Sequence, residues 1–196
     1  MAAVESAPDG TEAPAAGAVG AQLAAGAEPQ LEAVTIRSAR EGDVQAIYDL
    51  IVELAVYERE PEAVTGTVAM LRRSLFGSPA HAEALVAELE GRVVGYAIFH
   101  GTYSTWRCEP GLWLEDLYVQ PQYRRYGVGM KLFRALAALT VERGCTRLAW
   151  TALDWNEPAI NFYTKLGAEV LDEWTTRRLS GDAIRAVAEG WEQSGS

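Results

Sequence analysis

The sequence predicts a mixed α/β domain. Apolar residues recur at helical spacing at Ile47, Leu50, Ile51, Leu54 and Ala55, and again at Val128, Leu132, Leu136 and Leu139. Glu83–Leu89 and Arg92–Phe99 flank the turn dipeptide Glu90-Gly91 and read as a β-hairpin. A further apolar strand, Leu112–Val119, runs through a short polar loop into a glycine-bearing helix start.

Taken in order, Val34–Ser38 reads as a first strand, and Asp43 starts the first amphipathic helix. Thr65 or Thr67 is placed to cap a shorter helix around Val68–Leu75. The hairpin and the Leu112–Val119 strand follow, and Gly144 stands just past the end of the next helix. Arg147–Leu153 contains a continuous apolar stretch, as expected of a strand inside a sheet. Asn156 caps another helix, with Pro158 in its first turn and Gly167 beyond its end. Glu169–Glu173 and Thr175–Leu179 read as two late strands, and Asp182–Glu189 as a last helix. The meander-like N-terminal half argues against a doubly wound nucleotide fold.

Length and composition bound the possibilities. A chain of 196 residues, 49% hydrophobic, suits one domain with a full core. Residues 1–33 are dominated by Ala, Gly, Pro and Glu and cannot bury enough surface to offset ordering entropy. They are expected to form a disordered tail, leaving a domain at 34–190 and a polar tail at 191–196. The formal charge of −10 argues against nonspecific nucleic-acid binding. Cys108 and Cys145 lack C-x-x-C spacing, and His81 and His100 stand in no ligand pattern. A disulfide framework and a metal site are therefore not expected. No stretch approaches the ~20 apolar residues of a membrane span. The N-terminal region has neither a secretory pattern nor the Arg-rich, acid-poor composition of a transit peptide. A soluble cytoplasmic protein is the expectation.

The most informative segment is the strand-to-helix junction Arg124-Arg125-Tyr126-Gly127-Val128-Gly129. Glycines here let backbone N–H groups approach an anion, and the helix N-terminus adds its positive dipole end. The spacing R-x-x-G-x-G is neither the triphosphate loop nor the dinucleotide fingerprint. It reads as a pyrophosphate cradle.

With that junction in place, the chain over roughly Thr35–Arg185 resembles the GNAT superfamily of N-acetyltransferases. Leu114-Glu115-Asp116-Leu117-Tyr118-Val119 and Asp154-Trp155-Asn156-Glu157-Pro158-Ala159-Ile160-Asn161-Phe162-Tyr163 resemble the diamine (spermidine/spermine) branch. Arg40-Glu41-Gly42-Asp43 and Tyr103-Ser104-Thr105-Trp106 are more similar to the thialysine branch. The resemblance implies a central mixed, mostly antiparallel sheet, splayed at the acetyl-CoA site and flanked by helices. It implies acetyl-CoA as donor, a small primary amine as acceptor, no metal, and a homodimer.

Acyl transfer to an amine needs a held thioester, a neutral amine, a stabilised oxyanion and a proton for the departing thiolate. Backbone groups of Arg124, Arg125, Tyr126, Gly127, Val128, Gly129 and Met130 are the candidates for the CoA phosphates. Arg125 stands where the family often has glycine. The resemblance pairs Leu117, Tyr118 and Val119 with the pantetheine arm, the Leu117 N–H polarising the thioester carbonyl. Asn156, Ala159, Ile160 and Tyr163 share one helix face by 3–4 spacing. Asn156 either holds the CoA arm or only caps its helix, and Ala159 lies beside it. Tyr163 is the candidate general acid, a phenol protonated at neutral pH; the alternative is a packed aromatic with a wet hydroxyl.

The acceptor arrives charged. With an amine pKa near ~10.4, about one molecule in a thousand is neutral at pH 7, a cost of roughly 4–5 kcal/mol. Glu115 occupies the family's substrate-facing carboxylate position and is the candidate base, through water; the alternative is an ion pair buried between strand and helix. Strand alternation predicts that Glu115 and Asp116 point to opposite faces. Tyr57 and Glu58 end the first helix, where the family's carboxylate meets a substrate ammonium; a solvated helix end is the alternative. Tyr103 and Trp106 are candidates for an aromatic wall. Polyamine enzymes often carry Asp where Ser104 stands, which favours a shorter diamine or a diamino acid such as thialysine. Two other functions fit the same motifs: acetylation of a protein N-terminus or lysine, and a noncatalytic acyl-CoA-binding module.

Overall fold

The structure is a computed structural model that describes residues 33–190. The expected tails at 1–33, apart from Ala33, and at 191–196 lie outside the described residues. The described residues divide into two compact units, one ending at Leu148 and the other starting at Ala149.

The first unit is built on an open sheet. Its strands are β1 (Thr35–Ser38), β2 (Glu83–Leu89), β3 (Arg92–Ser104), β4 (Glu109–Val119) and the short β5 (Leu148–Ala149). They lie side by side in chain order, and neighbours from β1 to β4 run antiparallel. Residues 94–99 of β3 are buried without interruption, as expected where both faces of a sheet are covered.

One face receives α1 (Val44–Tyr57) and α2 (Val68–Phe76). Ile47 and Leu50 of α1 and Leu75 of α2 pack there with Ala84, Val86, Tyr96, Ile98 and Tyr118. Residues of the other parity, such as Leu85 and Phe99, lie with Ala135, Ala138 and Leu139 of α3 (Val128–Glu142) around a cleft of about 480 Å³. Val128, Leu132, Phe133 and Leu136 give α3 its buried stripe. Two charged clamps tie the layers. Arg37 of β1 holds Asp43 and Glu88, and Arg143 grips both carboxylate oxygens of Glu83 at 2.6 Å.

Local signals act as the sequence suggests. The Thr67 hydroxyl accepts from the Met70 N–H at 3.2 Å and caps α2. Glu90 and Gly91 both take positive φ, 49° and 77°, the pairing that lets a two-residue turn follow the twist of its strands. β3 and β4 extend further toward their common turn than the apolar runs indicated.

Three strand expectations are corrected. The strand placed at Arg147–Leu153 is only Leu148–Ala149, and Glu169–Glu173 and Thr175–Leu179 contain no strand. A strand exists only where a neighbour completes its ladder. Leu112 donates to the Arg147 carbonyl at 3.0 Å, but among the described residues no further strand pairs with Trp150–Leu153. Every residue from 169 to 190 is exposed, so the alternating apolar side chains there have no face to bury. The second unit holds α4 (Glu157–Lys165) and α5 (Asp182–Ala188).

Gly95 shows how tightly β3 and β4 are joined. A Cβ there would meet the Tyr118 carbonyl oxygen at 2.8 Å and Val119 side-chain carbon at 3.2 Å. Gly95→Ala is therefore expected to destabilise the protein by about 1–3 kcal/mol, the usual range for forced overpacking. A urea midpoint equal to that of the parent would contradict this close approach.

Candidate active site

The site begins with an irregularity in β4. Ile98 pairs with Asp116 and Phe99 pairs with Leu114, so Glu115 has no partner across the ladder. This β-bulge resets the alternation of side chains. Glu115 stays on the face of Trp113: the Trp113 indole N–H donates to its Oε2 at 3.0 Å, and His100, opposite Trp113, lies 3.8 Å from the same oxygen. Asp116, opposite Ile98, shares the α1 face with Tyr118 and Tyr96. The two carboxylates thus share a face, which corrects the expectation that they diverge.

They differ in environment. Glu115 is exposed, whereas Asp116 is half-buried. Burial, with the charges of Glu115 and Glu58 adding to it, pushes the Asp116 carboxyl up to about 6. Glu58 follows the last residue of α1, and burial raises its carboxyl as well. The Tyr96 ring is fully buried, and among the described residues its hydroxyl has no hydrogen-bond partner. Tyr103 and Trp106 stand in the β3–β4 hairpin, 58% and 86% exposed.

Arg124 joins this region to the loop after β4. Its guanidinium lies over the Tyr57 ring at 4.6 Å and over the Tyr118 ring at 5.2 Å, while its Nε donates to the Val119 carbonyl at 2.8 Å. Glu53 accepts from the Tyr118 hydroxyl at 3.2 Å and from the Gln120 amide at 2.9 Å. The Arg124 charge is thus engaged with Tyr57, Tyr118 and the end of β4.

Beyond Arg124 the backbone turns sharply. Arg125 has φ 65° and Gly127 has φ 79°. The left-handed conformation at Arg125 explains why glycine suits that position. Among the described residues no side chain caps α3, and its regular bonding begins with Lys131 donating to the Gly127 carbonyl. The N–H groups of Val128, Gly129 and Met130 therefore sit in the uncapped first turn, an arrangement suited to an anion. A Cβ at Gly129 would only touch Leu117 and Val119, each at 3.9 Å, so this turn overlies the end of β4. Tyr126 completes the loop between the two left-handed residues.

In the second unit, the Asn156 side chain accepts from the Ala159 N–H at 3.3 Å and caps α4. Tyr163 lies on α4, half-buried, with its ring 4.8 Å from Trp150 and 5.3 Å from Phe162.

A family model described as "Acetyltransferase (GNAT) family" matches residues 44–168. The chain belongs to that family. It is 39% identical over 166 residues to a thialysine N-epsilon-acetyltransferase from Bos taurus, covering 79% of this chain and 97% of that one. It is 40% identical over 95 residues to an L-ornithine N5-acetyltransferase from Arabidopsis thaliana, covering 48% and 42%. Among solved structures, an integron cassette protein of V. cholerae aligns with a TM-score of 0.68 at 23% identity, covering 81% and 99%. An aminoglycoside acetyltransferase from a soil metagenome aligns with a TM-score of 0.65 at 21% identity, covering 76% and 98%. These two share the fold.

In this acetyltransferase, Glu58, Glu115, Tyr57, Tyr118 and residues Arg124–Met130 all belong to the first unit. Tyr163, Asn156 and Ala159 belong to the second. Sequence reasoning missed Tyr96, Trp113, His100 and the packing of Arg124. Each depends on strand register or a long side chain's path, and neither leaves a local signal.

The raised Asp116 carboxyl has a consequence for stability. A carboxyl that holds its proton more tightly when folded stabilises the fold below its unfolded pKa, and that contribution is lost as pH rises through about 6. Asp116→Asn is expected to remove this component, so the variant gains stability relative to the parent between pH 4.5 and 7.5. Parallel denaturation curves at the two pH values, with a constant difference between the proteins, would contradict it.

Proposed function

We propose that the protein transfers the acetyl group of acetyl-CoA to a primary amine of a small cationic acceptor, a diamine, polyamine or diamino acid such as thialysine. The observation that carries this reading is the bulge, which turns Glu115 and Asp116 toward the face where Glu58 lies. Three carboxylates around one surface suit a compact cation. The family match and the similarity to thialysine and ornithine acetyltransferases support the same acceptor class.

The residues present fit acetyl-CoA. The uncapped first turn of α3, entered through the left-handed Gly127, offers N–H groups to a diphosphate. Acetyl-CoA supplies the activated acyl group. Arg124 through Met130 form the cradle, and the backbone of Leu117, Tyr118 and Val119 receives the pantetheine arm. Asn156 and Ala159, at the start of α4, are the residues the resemblance assigns to the coenzyme, and Asn156 also caps its helix. Tyr163 gives its proton to the departing sulfur. Tyr57, Glu58, Glu115, Tyr103 and Trp106 bind the acceptor, with the two aromatic residues of the hairpin offering ring faces to its ammonium. Ser104 stands where polyamine enzymes often carry Asp, and the missing charge favours a short acceptor over a long polycation. The protein works as a homodimer, as its resemblance to diamine acetyltransferases supports, and its composition suits the cytoplasm.

Thiol release from acetyl-CoA across spermidine, putrescine, ornithine, thialysine and a lysine peptide tests the reading. Turnover is expected to be fastest with a diamino acid or a short diamine. Tight CoA binding with no turnover on any of them would instead identify a noncatalytic module, and selective turnover of the peptide a protein acetyltransferase. Tyr163→Phe is expected to lower kcat by roughly 10²–10⁴-fold, the range for a lost general acid, while leaving CoA affinity nearly unchanged. Full activity with an unaltered pH profile would remove Tyr163 from that role.

A further inference from the structure

Two side chains converge on one oxygen of Glu115. The Trp113 indole N–H donates to Oε2 at 3.0 Å, and the His100 Nε2 lies 3.8 Å from the same atom. His100 and Trp113 stand opposite each other in the β3–β4 ladder, so strand pairing places both beside the carboxylate. The other oxygen, Oε1, takes neither contact.

The second nitrogen of His100 settles how its ring is protonated. Nδ1 lies 3.0 Å from the Gly101 carbonyl oxygen. A carbonyl only accepts, so this contact assigns a proton to Nδ1. In the neutral ring Nε2 is then bare, and a lone pair faces the carboxylate. Only the imidazolium carries an N–H on Nε2. The 3.8 Å separation is too long for a neutral hydrogen bond but lies within the range of an ion pair.

We propose that His100 is a positioning residue whose protonation sets how firmly Glu115 takes the acceptor's ammonium group. The imidazolium competes with the acceptor for the carboxylate, and the neutral ring releases it. This rests on the acetyltransferase reading above, in which Glu115 binds the acceptor. An imidazole gains its second proton in mildly acidic solution, so the competition strengthens as pH falls. The His100 and Glu115 side chains are 42% and 59% exposed, so solvent screens the pair. It acts as a graded brake on acceptor binding.

The surrounding charges fix the sign. Glu115 and Asp116 on β4, with Glu58 after α1, are carboxylates of this face and favour the imidazolium. Arg147, whose Nη2 lies 3.4 Å from the Thr102 hydroxyl on the same face, opposes it. On β2 the last residue paired with β3 is Glu83, opposite Phe99. Its carboxylate lies on the other face, held by Arg143, and does not meet His100.

The test has two arms, both on the full-length chain. In the first, KM for thialysine is measured at pH 5.5 and pH 8 for the parent and His100→Gln. The ratio of parent to variant KM should grow about two- to five-fold on acidification, the range of an exposed ion pair. The KM for acetyl-CoA should show no such growth. A thialysine ratio that stays constant would overturn the proposal. In the second arm, NMR follows the rings of the two histidines, and the signal missing in His100→Gln identifies His100. Its titration should move to lower pH in Glu115→Gln, because the imidazolium loses its partner. An unmoved titration would overturn the pairing. A parent that binds CoA but turns over neither thialysine nor any other amine of the panel would overturn the acetyltransferase reading itself. That result is distinct, since the NMR arm reads the pair without turnover.

Discussion

A single unpaired residue in β4 governs the charge of this site. With regular alternation, one of two adjacent acids would face α1 and the other α3. The register shift between Ile98 and Phe99 leaves Glu115 without a partner and brings Asp116 to the same side. The cost is local, one interrupted rung of a ladder. The result is a carboxyl half-buried among Tyr96, Tyr118 and Glu58, with an exposed companion held by Trp113. Bulges recur next to active sites because they re-aim side chains without disturbing the rest of a sheet.

The surrounding structure holds that arrangement in place. β3 is covered on both faces, so β4 has little freedom to slip. Gly95 lets β4 approach β3 closely where Tyr118 and Val119 lead toward the cradle. Arg124 then spans from the Val119 carbonyl to the Tyr57 ring, joining the end of β4 to the end of α1. The same loop leaves the first turn of α3 uncapped. The N–H groups of an uncapped helix start and a group of carboxylates thus occupy adjoining parts of one unit.

Much of this was legible from short patterns. The Thr67 and Asn156 caps, the Glu90-Gly91 turn and the Ile47–Leu50 stripe depend on residues within a few positions of one another. The glycine-bearing start of α3 was legible for the same reason, and Arg125 there takes a left-handed conformation that glycine adopts readily. The bulge was not, because register is a property of two strands and alternation along one strand assumes that it is regular. The extensions of β3 and β4 were missed because His100–Ser104 and Glu109–Gly111 are not an apolar run. The strands expected at Glu169–Glu173 and Thr175–Leu179 have the right residues but no ladder, since period-2 patterning describes a strand only when a neighbour exists.

The central claim is that the bulge places Asp116 in a half-buried, negatively charged setting while Glu115 remains at the surface. The most direct measurement is a carbon-detected NMR titration of the side-chain carboxyl groups. One aspartate signal, missing in Asp116→Asn, should titrate near pH 6. An Asp116 signal that titrates with the exposed aspartates, near pH ~4, would show that the carboxyl is solvated and that the geometry of β4 is otherwise.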